Sequence, residues 1–176
     1  MNDIYCHLCT FLTNTDKLNF LSSSTFLHGL KSKVFFNDMV LVDKIIHLWY
    51  FERFTNIITY KLGKYPRCLT HLTFGADFNQ DIKDCIPASV THLSFGYHFN
   101  QDIKDCIPAN VTHLTLQNWS DKDIKSYIPI SVINLTLKGV LLQDITNCIP
   151  NNITHLTLPK GYSYNNLNNK CQISFQ

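Results

Sequence analysis

The nine residues NQDIKDCIP stand at positions 79–87 and again, letter for letter, at positions 100–108. Sliding the chain against itself extends this identity into a 21-residue period. LTHLTFGADFNQDIKDCIPAS, VTHLSFGYHFNQDIKDCIPAN, VTHLTLQNWSDKDIKSYIPIS, VINLTLKGVLLQDITNCIPNN and ITHLTLPKGYSYNNLNNKCQI, beginning at Leu69, Val90, Val111, Val132 and Ile153, align without a gap. One column reads Leu72, Leu93, Leu114, Leu135, Leu156, and the next apolar column reads Phe74, Phe95, Leu116, Leu137, Leu158. A proline column runs from Pro66 through Pro87, Pro108 and Pro129 to Pro150, so a half repeat precedes the first full one. One such unit has too few apolar side chains to offset the entropy of ordering it. Stacked units bury both faces, so the period dictates a solenoid.

Within the unit, VTHLTF alternates with period two and carries β-branched residues, which predicts a short strand. Leu93 and Phe95 then face inward, and His92 and Ser94 face outward. In DIKDCIP the apolar residues Ile103, Cys106 and Ile107 fall at i, i+3 and i+4, predicting one helical or 3₁₀ turn capped by Asp102 and stopped by Pro108. Asp81, Asp123 and Asp144 occupy the same capping column.

The tandem LTFGADFNQDIKDCIPASVTHLSFGYHFNQDIKDCIPANVTHL resembles the FNIP repeats, a branch of the leucine-rich-repeat superfamily found in social amoebae and giant viruses of amoebae. The resemblance covers residues 69–158. Phe99 and Asn100 give way to Ser120 and Asp121, then to Leu141 and Leu142, so the third and fourth coils are expected to bend differently. The fifth repeat loses its aspartate and proline and reads as a cap. The expected fold is α+β: a short N-terminal helical bundle followed by a right-handed, leucine-rich-repeat-like solenoid with a parallel sheet. Its parts are a helical segment at 1–45, a connecting half repeat and N-terminal cap at 46–68, the solenoid at 69–158, and a C-terminal cap at 159–176.

Fifteen Lys and Arg against thirteen Asp and Glu give a net charge of +2, too little for a nucleic-acid field. The start of the chain lacks a basic stretch followed by an apolar run, and MVLVDKIIHLWYF is interrupted by Asp43 and Lys44. Neither a signal peptide nor a membrane span is therefore expected. Cys85, Cys106 and Cys148 share one repeat column and read as buried small hydrophobes, an oxidised Cys85–Cys106 pair being the geometric alternative. CHLC at residues 6–9 has zinc-like spacing but no second pair nearby, and reads as part of an apolar helix. The sequons at Asn110, Asn118, Asn134 and Asn152 carry no glycan in a cytosolic chain.

The first 60 residues do not share the repeat. Ile4, Leu8, Phe11 and Leu12 fall on one helical face, a second helix is expected to be capped near Thr15, and a third to begin near Ser22, Ser23 and Ser24. IYCHLCTFLTNTDKLNFLSSSTFLHGL resembles the F-box in its leucine run, acidic helix break and serine-rich step. Ile4 and Tyr5 stand where an F-box usually has leucine and proline. The resemblance implies docking on the Skp-type adaptor of a cullin-RING ubiquitin ligase, with Ile4, Leu8, Phe11, Leu12 and Leu18 as the adaptor contact and the repeats presenting a protein substrate. It also implies a cytoplasmic setting, the host cytoplasm for a viral chain. The alternatives are that these side chains close the bundle core, and that the chain is a scaffold without a ligase.

Outward strand positions stack into ladders: His71, His92, His113, Asn134 and His155 beside Thr73, Ser94, Thr115, Thr136 and Thr157. At roughly 4.8 Å per coil they form a polar face about 20 Å long. It reads as a substrate-facing recognition surface. A metal reading is the weaker one, because Asn134 interrupts the imidazoles and no carboxylate joins them. Every nucleophile or carboxylate lies in a column that stacking already explains, so neither enzyme chemistry nor a cofactor is expected.

Overall fold

The computed structural model describes residues 2–117, 124–139, 145, 148–162 and 171–175. Among the described residues eight strands form one sheet in sequence order: β1 (Val40–Leu41), β2 (Asn56–Thr59), β3 (His71–Phe74), β4 (His92–Ser94), β5 (His113–Gln117), β6 (Asn134–Lys138), β7 (His155–Leu158) and β8 (Gln172–Phe175). Each pairs in parallel with the one before it. Leu72 pairs Leu93, Leu93 pairs Leu114, Leu114 pairs Leu135 and Leu135 pairs Leu156, so the period seen in sequence is the register of the sheet. The sheet also runs past the repeats at both ends. Ile57 pairs Leu72, fifteen positions on, and His155 pairs Gln172, seventeen positions on, so the segment expected to be a C-terminal cap supplies a strand.

The inward columns form the core. Leu72, Leu93, Leu114, Leu135 and Leu156 are buried, as are Phe74, Phe95, Leu116, Leu137 and Leu158. The proline column opens the turn into each strand: the carbonyls of Pro66, Pro87, Pro108, Pro129 and Pro150 accept from the amides of Leu69, Val90, Val111, Val132 and Ile153, at 3.0–3.2 Å. At the far end of β3 and β4, the Gly75 and Gly96 carbonyls accept from Phe78 and Phe99 in a second turn. That turn folds the phenylalanines inward. Phe74 stacks on Phe78 at 4.1 Å and Phe95 on Phe99 at 4.3 Å, and the two pairs stack on each other. In the third and fourth coils Gln117 and Lys138 replace the glycines, and the strands continue through them as a pair. The differing bends expected at Ser120, Asp121, Leu141 and Leu142 lie outside the described residues.

The expectation for DIKDCIP is corrected. DIKDCIP forms no helical turn in the first two repeats. The Ile82 and Ile103 carbonyls accept from the Cys85 and Cys106 amides, with Asp84 and Asp105 in the left-handed region at φ 57° and 58°. Aspartate tolerates that region, and a tight turn brings i and i+3 together as a helix does, so spacing alone does not separate them. The third coil has Ser126 in the same place and forms the helical turn α4 (Ile124–Tyr127). Asp81 and Asp102 accept from the amides of Lys83 and Lys104 two residues on, at 2.9 Å, whereas Asp123 and Asp144 lie outside the described residues. Cys85, Cys106 and Cys148 are half-buried rather than buried, because each ends the turn at the edge of the core. The thiols of Cys85 and Cys106 donate to the Lys83 and Lys104 carbonyls, and all seven cysteines are free.

The N-terminal segment folds as α1 (Asn2–Cys9), α2 (Asn14–Ser22) and the single turn α3 (Thr25–His28), followed by a 3₁₀ stretch over Gly29–Lys33. Thr13, not Thr15, caps α2 by accepting from the Asp16 amide, and Ser24 caps α3 through Leu27. Cys9, Leu21, Leu30 and Val34 join Phe36, Tyr50 and Phe54 in a core continuous with the solenoid. The bundle therefore leans on the repeats for stability. No helix among the described residues is long and apolar enough to cross a membrane.

Candidate functional site

The strand order and register bring eight of the ten expected ladder residues into one shallow groove of about 310 Å³. His71, His92 and His113 run along it beside Thr73, Ser94 and Thr115, continued by Asn134 and Thr136. His155 and Thr157 extend both rows by register but do not line the groove. Asn56 and Met39 also line it, and sequence reading missed both because they precede the 21-residue period.

The imidazoles stack face to face. His71 and His92 lie 4.0 Å apart and His92 and His113 3.9 Å, with planes within 15°. The residue before each histidine holds it in place. Thr70, Thr91, Thr112 and Thr154 hydroxyls lie 2.8–2.9 Å from Nδ1 of His71, His92, His113 and His155. The signal for this positioning is in the sequence as the TH pair of LTHL, VTHL and ITHL. In the fourth coil both members change together, to Ile133 and Asn134, as expected if the threonine serves the histidine.

Burial holds the pKa values of His71, His92 and His113 below the ordinary histidine value. His92, with His71 and His113 as charged-state neighbours on either side, is lowered furthest, to about 4. These three imidazoles are therefore neutral near pH 7. Rings stacked by translation carry parallel nitrogen lone pairs, whereas one metal ion needs lone pairs that converge. Among the described residues no three His, Cys, Asp or Glu side chains gather in a metal-binding group, at the ladder or at Cys6 and Cys9. The sequon side chains of Asn110 and Asn152 donate to the Ala88 and Ile130 carbonyls of the preceding coil, so these amides link coils together.

At the helical end, Ile4, Leu8 and Phe11 are 64%, 49% and 77% exposed. Tyr5, Cys6 and Cys9 on the other side of α1 pack into the core, as does the half-buried Leu18. Leu12 is half-buried. The expected contact set thus divides into three exposed residues and two partly buried ones.

The family model of the FNIP Repeat matches residues 62–98 and 99–139. The chain carries FNIP repeats. A 59-residue stretch is 42% identical to "Putative F-box and FNIP repeat-containing protein L414" of Acanthamoeba polyphaga mimivirus, covering 34% of this chain and 11% of that protein. An 86-residue stretch is 26% identical to "Uncharacterized protein L167" of the same virus, covering 48% of this chain and 28% of that one. Among solved structures, CroV588, described as a novel circular LRR protein, superposes with a TM-score of 0.56 at 30% identity over 70% of this chain and 21% of its own. The chain thus spans less than a third of the length of each of these relatives. The FNIP-matching coils form a parallel solenoid whose strand face is open along several coils.

Proposed function

We propose that the chain is a non-enzymatic adaptor: the FNIP ladder binds a target protein while the helical end docks on the Skp-type adaptor of a cullin-RING ubiquitin ligase, in the host cytoplasm. The observation that carries this reading is the exposed apolar set Ile4 and Leu8 on α1 and Phe11 in the turn that follows it, while the other side of α1 is fixed to the core. An apolar helix face held rigidly at the surface is suited to helix-in-groove docking. The order of a helical segment before FNIP repeats fits the pairing of F-box and FNIP repeats in the name of L414.

Replacing Leu8 and Phe11 with serine tests it. A large side chain at the centre of an interface can carry about 2 kcal/mol or more, so the double variant is expected to lose Skp-type adaptor and cullin in pull-downs from amoebal lysate. Both residues are exposed, so the thermal transition should hold. A folded double variant that recovers adaptor and cullin at wild-type levels would overturn the ligase reading and leave a scaffold without that linkage.

A further inference from the structure

The oxygens against the ladder decide which edge of each imidazole carries the proton. The Thr70 carbonyl already accepts the Thr91 and His92 amides at 2.9 and 3.0 Å, and the Thr91 carbonyl accepts Thr112 and His113 at the same distances. A carbonyl oxygen has two lone pairs, so both are taken. The Thr91 and Thr112 hydroxyls lie 3.3 Å from these filled oxygens but 2.9 Å from the imidazole Nδ1 atoms. A hydroxyl that donates to Nδ1 leaves the ring proton on Nε2. Among the described residues no hydrogen bond reaches Nε2 of His71, His92 or His113.

The outward positions of β2 to β8 contain no Asp or Glu among the described residues, and their one charged side chain is Lys138. We propose that the histidine ladder is a row of Nε2–H donors that takes an aspartate- or glutamate-rich segment of a partner protein, with the hydroxyls of Thr73, Ser94 and Thr115 as auxiliary donors. This rests on the reading of the repeats as the target-binding part. A carboxylate accepts several hydrogen bonds at once and meets no like charge on this face. A nucleic acid would call for several cations along the groove, whose lining contains no Lys or Arg.

The test uses the full chain labelled with ¹⁵N. At neutral pH, long-range proton–nitrogen correlations should show Nδ1 bare and Nε2 protonated in His92 and His113; protonated Nδ1 in these rings overturns the assignment. An oligoglutamate peptide, an oligolysine peptide and an oligothymidylate are then titrated in turn. Oligoglutamate should shift the Nε2 signals of the ladder and bind about tenfold tighter than the other two. The Thr91→Ile/His92→Asn double variant copies Ile133 and Asn134 of the fourth coil, so it should keep its thermal transition and bind oligoglutamate about tenfold more weakly. Unchanged binding by that variant, no binding of oligoglutamate, or preference for oligothymidylate overturns the proposal. Oligolysine shifting the same rings overturns the acidic partner while leaving the ladder as the docking face, which separates this inference from the reading beneath it.

Discussion

Replacing Gly96 with alanine puts one methyl group where two coils touch through their backbones. A Cβ built there lies 2.1 Å from the Gly75 carbonyl oxygen and 2.5 Å from its carbon, whereas ordinary contact begins at 3.4 Å. The corner would have to open by more than 1 Å, and the register of β3 and β4 leaves it little room. Overpacking of this kind costs about 1–3 kcal/mol, and the opposing neighbour here is backbone rather than a side chain that could rotate away. The opposite case is Gly29, in right-handed helical geometry at φ −64° with nothing within 4 Å of its Cβ. Gly29→Ala should stabilise by about 0.5 kcal/mol, by restricting the unfolded chain. In urea titrations followed by circular dichroism the two variants should move the midpoint in opposite directions. Gly96→Ala should also lower the melting temperature by roughly 2–12 °C. If Gly96→Ala melted with the wild type, the close stacking of the two glycine corners would be refuted.

Leu114→Asp places a charge at a site 1% exposed between Leu93 and Leu135, and should cost several kcal/mol, whereas His113→Ala on the open face should cost less than about 1 kcal/mol. Equal melting temperatures for the two variants would reverse the assignment of faces. The lowered histidine pKa values set a pH dependence: below the ordinary value of 6.5 the unfolded chain takes up protons that the folded ladder resists. The ladder's contribution is therefore full above pH 6.5 and lost as pH falls toward about 4. Urea midpoints of the wild type should fall across that window more than those of His92→Asn, and parallel curves would show that the ring is not held neutral.

The 21-residue period by itself determined the parallel solenoid, the inward leucine column and the facing of the histidines, because a repeated sequence stacked on itself has one register that buries every apolar column. It did not distinguish the turn at Asp84 and Asp105 from a helix, since both conformations bring i and i+3 together and only backbone dihedrals separate them. The outermost strands β1, β2 and β8 were illegible for a related reason. Their spacings of seventeen, fifteen and seventeen residues leave the period, so only pairing against a neighbouring coil reveals them. Helical spacing placed Ile4 and Leu8 on one face of α1, whereas α1 ends at Cys9 before Phe11 and Leu12, and which side of the helix met the core depended on where the solenoid's first coils lay. The tautomer proposed for the ladder likewise rests on the tertiary structure. The TH pair supplies a hydroxyl beside each ring, yet the direction in which it donates is set by a carbonyl of the preceding coil, 21 residues away for Thr91 and Thr112, whose lone pairs are already filled.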